Sequence, residues 1–456
     1  MDHDHIQIPA NHLQIFPMPQ PSLFTFRTIR QLTVLCLLVS PLMAQDARIN
    51  WPVRSGPTLN GHVAEADAVG LPVDFDEESG KNIRWKVELQ NFGHSTPIIG
   101  DGRIWLTSAT KDGRQQFIHC LDAATGKTVH QRLLFENEEP EPLNNEINTY
   151  ASPSCALEHD AVYVHFGSYG TAKLNPETAE TVWERRDISC RHFRGPGSSP
   201  ILFEDLLILT FDGIDAQFLM ALNKKTGETV WRTDRSTDYG DLDEDGNPKR
   251  EGDLRKAYST PALVDVDGRT LVVSVGSRAG FAYDARTGEE IWGIRHDDFN
   301  AAAPPAFYKD LAILNTGSRG ANMMAVELGK ETRGDVTETH VRWNREQGNS
   351  DLASPLVIGD RVFMITNTGV AVCLNAATGE EIWKDRVGGT FTASPITANG
   401  LIYFCNEEGD LIVIRAADQF ELVARNRLKE GMRASPSVAN GCLYLRTFGH
   451  LYCIGQ

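Results

Sequence analysis

One decapeptide recurs along the chain. It reads LNKKTGETVW at Leu222–Trp231, YDARTGEEIW at Tyr283–Trp292 and LNAATGEEIW at Leu374–Trp383. Internal repetition constrains a fold more than any local motif, because each copy must take one structure and pack against its neighbours. A second anchor runs in step with the first: a small or hydroxyl residue, a proline, then an apolar run. Its prolines are Pro97, Pro153, Pro200, Pro261, Pro305, Pro355, Pro395 and Pro436, eight copies at spacings of 40 to 61 residues.

Each unit reads as four strands. A short strand follows the proline, and a turn such as GDG, EHD or ANG suits a tight reversal. A second apolar strand follows (RVFMIT, LIYFC), then a third ending in ALN- or CLN-type sequence. The Thr-Gly turn comes next, and its tryptophan opens a fourth strand. The spacing leaves little room for helices, so the pattern predicts an all-β, eight-bladed β-propeller of four-stranded antiparallel blades. Trp183, Trp231, Trp292, Trp343 and Trp383 fill successive tryptophan slots, and Trp85 fills one before the first anchor. His130 and Val423 stand in the remaining two, Ala179 replaces one turn glycine, and an insertion separates Glu327 from Trp343. The last unit ends at LYCIGQ without an outer strand. The segment around Trp85 is left to supply it, which closes the ring by pairing N- and C-terminal segments and removes open sheet edges.

These xDxxTGxxxW repeats resemble those of the pyrroloquinoline-quinone (PQQ)-type propellers. That superfamily includes the quinoprotein alcohol dehydrogenases and the outer-membrane assembly protein BamB. The resemblance covers about Asn82 to the C-terminus and speaks to fold more than to function. It implies that the six tryptophans dock between neighbouring blades and, for the enzymes, that quinone and Ca²⁺ sit over the central funnel. The sequence holds no adjacent Cys-Cys pair and no CxxCH, and no stretch matches the residues that hold quinone or calcium. The expectation is a non-catalytic binding or assembly scaffold without cofactor. A PQQ-dependent alcohol or sugar dehydrogenase and a carbohydrate-binding propeller are the competing readings.

Ahead of the repeats, Arg27 and Arg30 precede the apolar run Leu32–Met43, which ends in Ala44. A basic stretch, a short apolar run and a small residue predict an export signal over residues 1–44, with Met18 as an alternative start. An uncleaved membrane anchor is the alternative. Residues 45–81 then form an N-terminal extension and 82–456 the propeller, in the periplasm or secreted, with no transmembrane span in the mature chain. The net charge of −17 argues against nucleic acid and anionic membrane as partners, since both need clustered Lys and Arg. A protein or a small polar or glycan ligand is expected instead, bound by a monomer. Seven cysteines follow the signal, an odd number with no CxxC; they read as small buried apolar residues, with one or two disulfides in an oxidising compartment as the alternative.

If the decapeptides are structural, function belongs to the unlike loops before each proline, which border the channel of such propellers. They place His94, Tyr150, His192, Arg194, Arg255, Lys256, Asn300, Asp351 and Arg433 as candidate ligand-binding residues at the funnel rim. Arginine and lysine there suit a carboxylate, a sulfate or a sugar acid; solvated rim residues are the competing account. The insertion DLDEDGN carries Asp241, Asp243 and Asp245 at alternate positions with Gly246 after them, a pattern resembling a calcium loop. Its twelfth position is Gly252 rather than a bidentate glutamate, so a solvated acidic loop is the alternative.

Overall fold

The computed structural model describes residues 48–143, 147–318 and 322–456, so the export-signal segment 1–44 lies outside the described residues. Eight antiparallel sheets follow one another along the chain, each with a core of four strands. Blade 3 is representative: Ile201–Phe203, Leu206–Asp212, Gln217–Asn223 and Thr229–Asp234, in that order from the channel outwards. The ring closes between the two ends of the sequence. Ile83–Glu88 pairs antiparallel with His450–Ile454, Trp85 opposite Cys453 and Val87 opposite Leu451, and becomes the outer strand of blade 8.

The repeated decapeptide is a turn and a socket. Asn223 Oδ1 accepts the backbone N–H groups of Lys225 and Thr226, and Thr226 Oγ1 accepts that of Glu228. The same set recurs on Asn375 with Thr378 and Glu380. The glycine that follows takes positive φ, +74° at Gly227 and +72° at Gly379, and its bare α-carbon receives the tryptophan of the preceding blade. Trp183 packs on Gly227 and donates to Lys224 O at 3.0 Å. Trp85 packs likewise on Gly126 and donates to Ala123 O at 3.2 Å, and Trp231 packs on Gly288. Trp343 packs on Gly379 and donates to Ala376 O at 3.1 Å, and Trp383 donates to Ala417 O at 2.9 Å beside Phe420. The register slips by one residue just before each of these positions, as between Ala221 and Leu222 opposite Trp231. A bulge of this kind re-aims the next side chain, here into the seam between blades.

The irregular blades have compensations. His130 in blade 1 faces the Ala179 turn of blade 2 and its Nε2 meets Glu177 O at 2.8 Å. The smaller ring leaves space for the methyl group of Ala179, which holds φ +56° without being glycine. Trp292 faces the insertion instead of a Thr-Gly turn. Gly334–Asp335 from that insertion adds a parallel strand outside blade 4, with Gly334 opposite Trp292. In blade 7 the register corrects the expected slot: Ala424 stands opposite Val413, and Val423 is the bulged residue before it.

The proline anchors serve the channel side of the ring. In five blades the residue two before the inner strand carries a hydroxyl that accepts the backbone N–H of its counterpart one blade earlier. Thr96 N–H reaches Ser154 Oγ, Ser154 N–H reaches Ser199 Oγ, and Ser199 N–H reaches Thr260 Oγ1, at 2.8 to 2.9 Å. The series resumes from Ser354 to Ser394 and from Ser394 to Ser435, each at 3.0 Å. In blade 5 Pro304 holds this place with neither N–H nor hydroxyl. In blade 2 the inner strand begins at Ala156, so Cys155 occupies the proline position and Pro153 lies two residues earlier.

The extension before the propeller is built into it. Ile49–Trp51 adds a strand to the channel edge of blade 1, opposite Gly100 and Ile99. Pro52 O accepts from Leu157 N–H in blade 2, and Gly61 and Val63 bond with Thr397 in blade 7. Asp67, buried, accepts Asn50 Nδ2 at 2.7 Å and the backbone N–H of Asn440 in blade 8 at 2.9 Å. The extension thus crosses the channel at the end where the inner strands turn back, opposite the loops that precede the anchors.

All seven cysteines among the described residues are buried and unbridged, and no helix there is long and apolar enough to cross a membrane.

Candidate functional site

With one end of the channel crossed by the extension, the other end is a funnel of about 290 Å³. Every blade contributes to its wall, among them His94, Asn148, Arg194, Tyr258, Asn300, Asp351, Asn367, Thr392 and Arg433. Five rim residues named from the sequence therefore meet in one cavity: His94, Arg194, Asn300, Asp351 and Arg433. Four do not. Tyr150 turns back under its own loop, where its hydroxyl donates to Glu141 O at 2.8 Å and its ring covers Gly113. His192 is buried between blades 2 and 3, where Nε2 accepts Ser168 N–H at 2.9 Å. Lys256 is buried behind the wall and donates to the carbonyls of Asp212 and Ala257. Arg255 is spent on Asp241, with contacts from 2.7 to 3.2 Å.

That ion pair also changes the reading of the acidic loop. The Asp241 carboxylate is buried against a guanidinium. Asp243 Oδ1 accepts the backbone N–H groups of Asp245 and Asn247. The carboxylates of Asp241 and Asp243 are thus engaged within the loop, by Arg255 and by the turn's own N–H groups. Among the described residues no group of three or more His, Cys, Asp or Glu side chains is placed to hold a metal ion.

Sequence reasoning missed the floor of the funnel. Arg54 comes from the extension, lines the funnel, and also lines a second cavity of about 140 Å³ on the other side, beside Trp51, Asn60 and His62. Its Nη2 donates to Ser394 Oγ at 3.0 Å. Its Nη1 is buried without a hydrogen-bond partner among the described residues. The other funnel arginines are matched by acids: Arg194 is bidentate with Asp253 at 3.0 Å, and Arg433 meets Glu407 at 2.8 Å. Arg54 forms no ion pair with any described residue. Burial pulls its pKa down to about 10. No repeat contains Arg54, so the pattern that revealed the blades gave no signal for it.

Two further buried cations stand near the funnel. Burial brings Arg446 down to about 9 and Lys256 to about 8. Neighbouring histidines are held neutral chiefly by burial, and these cations add to the effect. His94 is lowered to about 3, first by burial and then by Arg446 and Arg433; His119 is lowered to about 4, by burial and then Arg446. A chain of net charge −17 therefore encloses an electropositive hub, suited to anions rather than to cations.

A calcium–quinone pair would need several oxygen ligands converging on the cation. Asp351 is the one carboxylate among the described lining residues, and a guanidinium forms the floor. This donor set does not fit such a pair.

At the mouth the wall becomes apolar. Phe92, Ile147 and Phe448 are 52%, 54% and 45% exposed. Arg433 links Ile147 and Phe448: its guanidinium lies 5.6 Å from the Phe448 ring centroid and its Nη1 donates to Ile147 O at 3.0 Å. The Phe448 ring stands 6.3 Å from that of His94, two residues after Phe92.

A family model described as outer membrane protein assembly factor BamB matches residues 42–192 and 215–455. The protein of that description from Yersinia pestis is 22% identical over 344 residues, covering 75% of this chain and 80% of the relative. That from Marinobacter adhaerens is 28% identical over 103 residues, 22% of this chain and 26% of the relative. Among solved structures, BamB from Moraxella catarrhalis superposes with a TM-score of 0.56 at 14% identity, over 82% of this chain and 99% of that one. A quinohemoprotein alcohol dehydrogenase from Comamonas testosteroni superposes with a TM-score of 0.62 at 13% identity, over 89% and 80%. Similarity at these identities speaks for the propeller fold and not for a shared chemistry.

Proposed function

From the premise that the chain belongs to the family described as outer membrane protein assembly factor BamB, we propose that it is an exported, non-catalytic scaffold that binds a protein partner in outer-membrane assembly. The observation that carries this reading is the exposed apolar pair Ile147 and Phe448, joined through Arg433 at the funnel mouth. Two large exposed apolar side chains on one arginine have the composition of an interface centre. The family description and the apolar run Leu32–Met43 support a place beneath the outer membrane. The same reading leaves out quinone and calcium, because the funnel offers a cation one carboxylate and a neighbouring guanidinium.

A photo-crosslinking side chain at position 448, in cells, tests it. A discrete protein adduct is expected, absent from the same side chain at Val230 on the outer rim and weakened by Ile147→Asp. The opposite outcome is saturable binding of the quinone with Ca²⁺ at one equivalent, with alcohol-dependent dye reduction. That result would replace the scaffold by a dehydrogenase.

A further inference from the structure

The scaffold reading uses the funnel mouth and leaves its interior unexplained. There Arg54 carries a charge that no described carboxylate answers, and the polar groups around it are unevenly satisfied. Asn300 Oδ1, Asn367 Oδ1 and Thr392 Oγ1 all line the funnel and are buried without hydrogen-bond partners among the described residues. They fall on one side of the wall, in blades 5, 6 and 7. Arg54 leans to that side, since its Nη2 bonds to Ser394 Oγ, two residues beyond Thr392. Buried polar atoms are normally paired. A cluster of four unpaired groups in one cavity is therefore a statement about what the cavity receives.

The chemistry of the four is specific. A guanidinium takes a carboxylate by charge-assisted hydrogen bonds. Amide and hydroxyl oxygens accept from hydroxyl groups, and a threonine hydroxyl also donates. We propose that the funnel interior binds a small polyhydroxylated carboxylate of the sugar-acid type, its carboxylate directed to Arg54 and its hydroxyls to Asn300, Asn367 and Thr392. The cavity, about 290 Å³, stands near the lower end of small-molecule sites, which run from roughly 300 to 1,000 Å³; a single sugar ring suits it better than an oligosaccharide. The Arg54 guanidinium in the funnel wall, without a described acid partner, favours an acid over a neutral sugar. Arg54 belongs to the extension that crosses the channel, so the segment that seals one end also supplies the binding charge at the other.

Titration calorimetry on the full chain tests the proposal with D-galacturonate and D-gluconate, against D-galactose and inorganic phosphate. One of the two acids should bind at one equivalent, at least ten-fold more tightly than either comparison compound, and more weakly as salt is raised. Arg54→Met should weaken that binding ten-fold or more, and Arg54→Lys should restore part of it. Asn367→Leu, which removes an unpaired group and so spares the fold, should weaken it several-fold and serves if Arg54→Met does not fold. Equal binding of galactose would overturn the carboxylate assignment. Phosphate as tight as the acids, and indifferent to Asn367→Leu, would reduce the site to a bare anion site and overturn the proposal, as would silence towards both acids. Crosslinking from position 448 is unaffected by any of these outcomes, so the two readings fail separately.

Discussion

Trp343 and Gly379 form one joint between blades 5 and 6. A Cβ built on Gly379 would lie 2.7 Å from the indole, and Trp343 Nε1 donates to Ala376 O at 3.1 Å on the same turn. Gly379→Ala therefore meets both a positive φ of +72° and an occupied space. The left-handed backbone costs about 1–2 kcal/mol and overpacking about 1–3 kcal/mol more. Trp343→Ala should cost about 3–5 kcal/mol as a large core truncation. Because removing the indole also removes the clash, the double variant should lose less than the sum of the two. Denaturant midpoints of the three variants check this, and strict additivity would contradict the joint.

His130 and Ala179 make the converse case. Both depart from the repeat, and they meet across one seam, where His130 Nε2 reaches Glu177 O at 2.8 Å. His130→Trp alone should destabilise by about 1–3 kcal/mol through overpacking against the Ala179 methyl group. Ala179→Gly in the same chain should recover most of that loss. It opens the space and supplies the residue that φ +56° prefers. A thermal melt of the double variant below that of His130→Trp would sink the idea of a matched pair.

The two seams show why the propeller was legible in the sequence and the funnel was not. A blade is specified by residues at fixed spacing, so eight imperfect copies reinforce one another, and the lone strand around Trp85 found its place because one slot was left. Spacing puts the slot at Val423, and a one-residue bulge, which spacing alone does not reveal, moves it to Ala424. Funnel residues obey no period. Tyr150, His192 and Lys256 sit in the expected loops, but burial turns their polar ends to nearby backbone groups. Arg255 and Asp241 are separate candidates in the sequence, one for a ligand and one for calcium, yet in the fold they neutralise each other. Arg54 lies outside the repeats altogether, and only the path of the extension brings it to the channel.

His165 makes stability depend on pH. It is buried between blades 2 and 3 with Nδ1 against Thr171 Oγ1 at 2.8 Å, and burial lowers its pKa to about 3. The folded chain keeps this ring neutral, whereas the unfolded chain protonates it near pH 6.5. Between those values the unfolded state binds more protons, so stability is full above about pH 6.5 and falls as pH drops towards 3. The loss from this group should be about 2 kcal/mol between pH 7 and pH 5. His94 and His119 act in the same direction. His165→Asn should flatten the decline in unfolding free energy between pH 7 and 5, measured with urea. An unchanged slope would mean that the ring is hydrated in the folded state.

Asp67 tests whether the N-terminal extension is part of the folding unit. Its carboxylate receives Arg48 at 2.8 Å, Asn50 at 2.7 Å and the Asn440 N–H at 2.9 Å, and its own carbonyl receives Gly441 N–H at 2.9 Å. One buried acid thus ties the extension to the turn of blade 8, more than 370 residues away. Asp67→Ala leaves the Asn440 amide without its acceptor and Asn50 with only the 3.5 Å contact to Asn440 Oδ1, and an unpaired buried group costs about 1–3 kcal/mol. If the extension folds with the ring, the variant should unfold in one transition at a lower midpoint, and amide exchange should speed up at Asn440 and at Val63 together. If it is an appendage, exchange should rise in residues 48–68 alone while the blades keep their protection. The crossing hydrogen bonds to blades 1, 2, 7 and 8 favour the first outcome. They also place Arg54 where it is, so loosening the extension should weaken anion binding in the funnel as well as the ring.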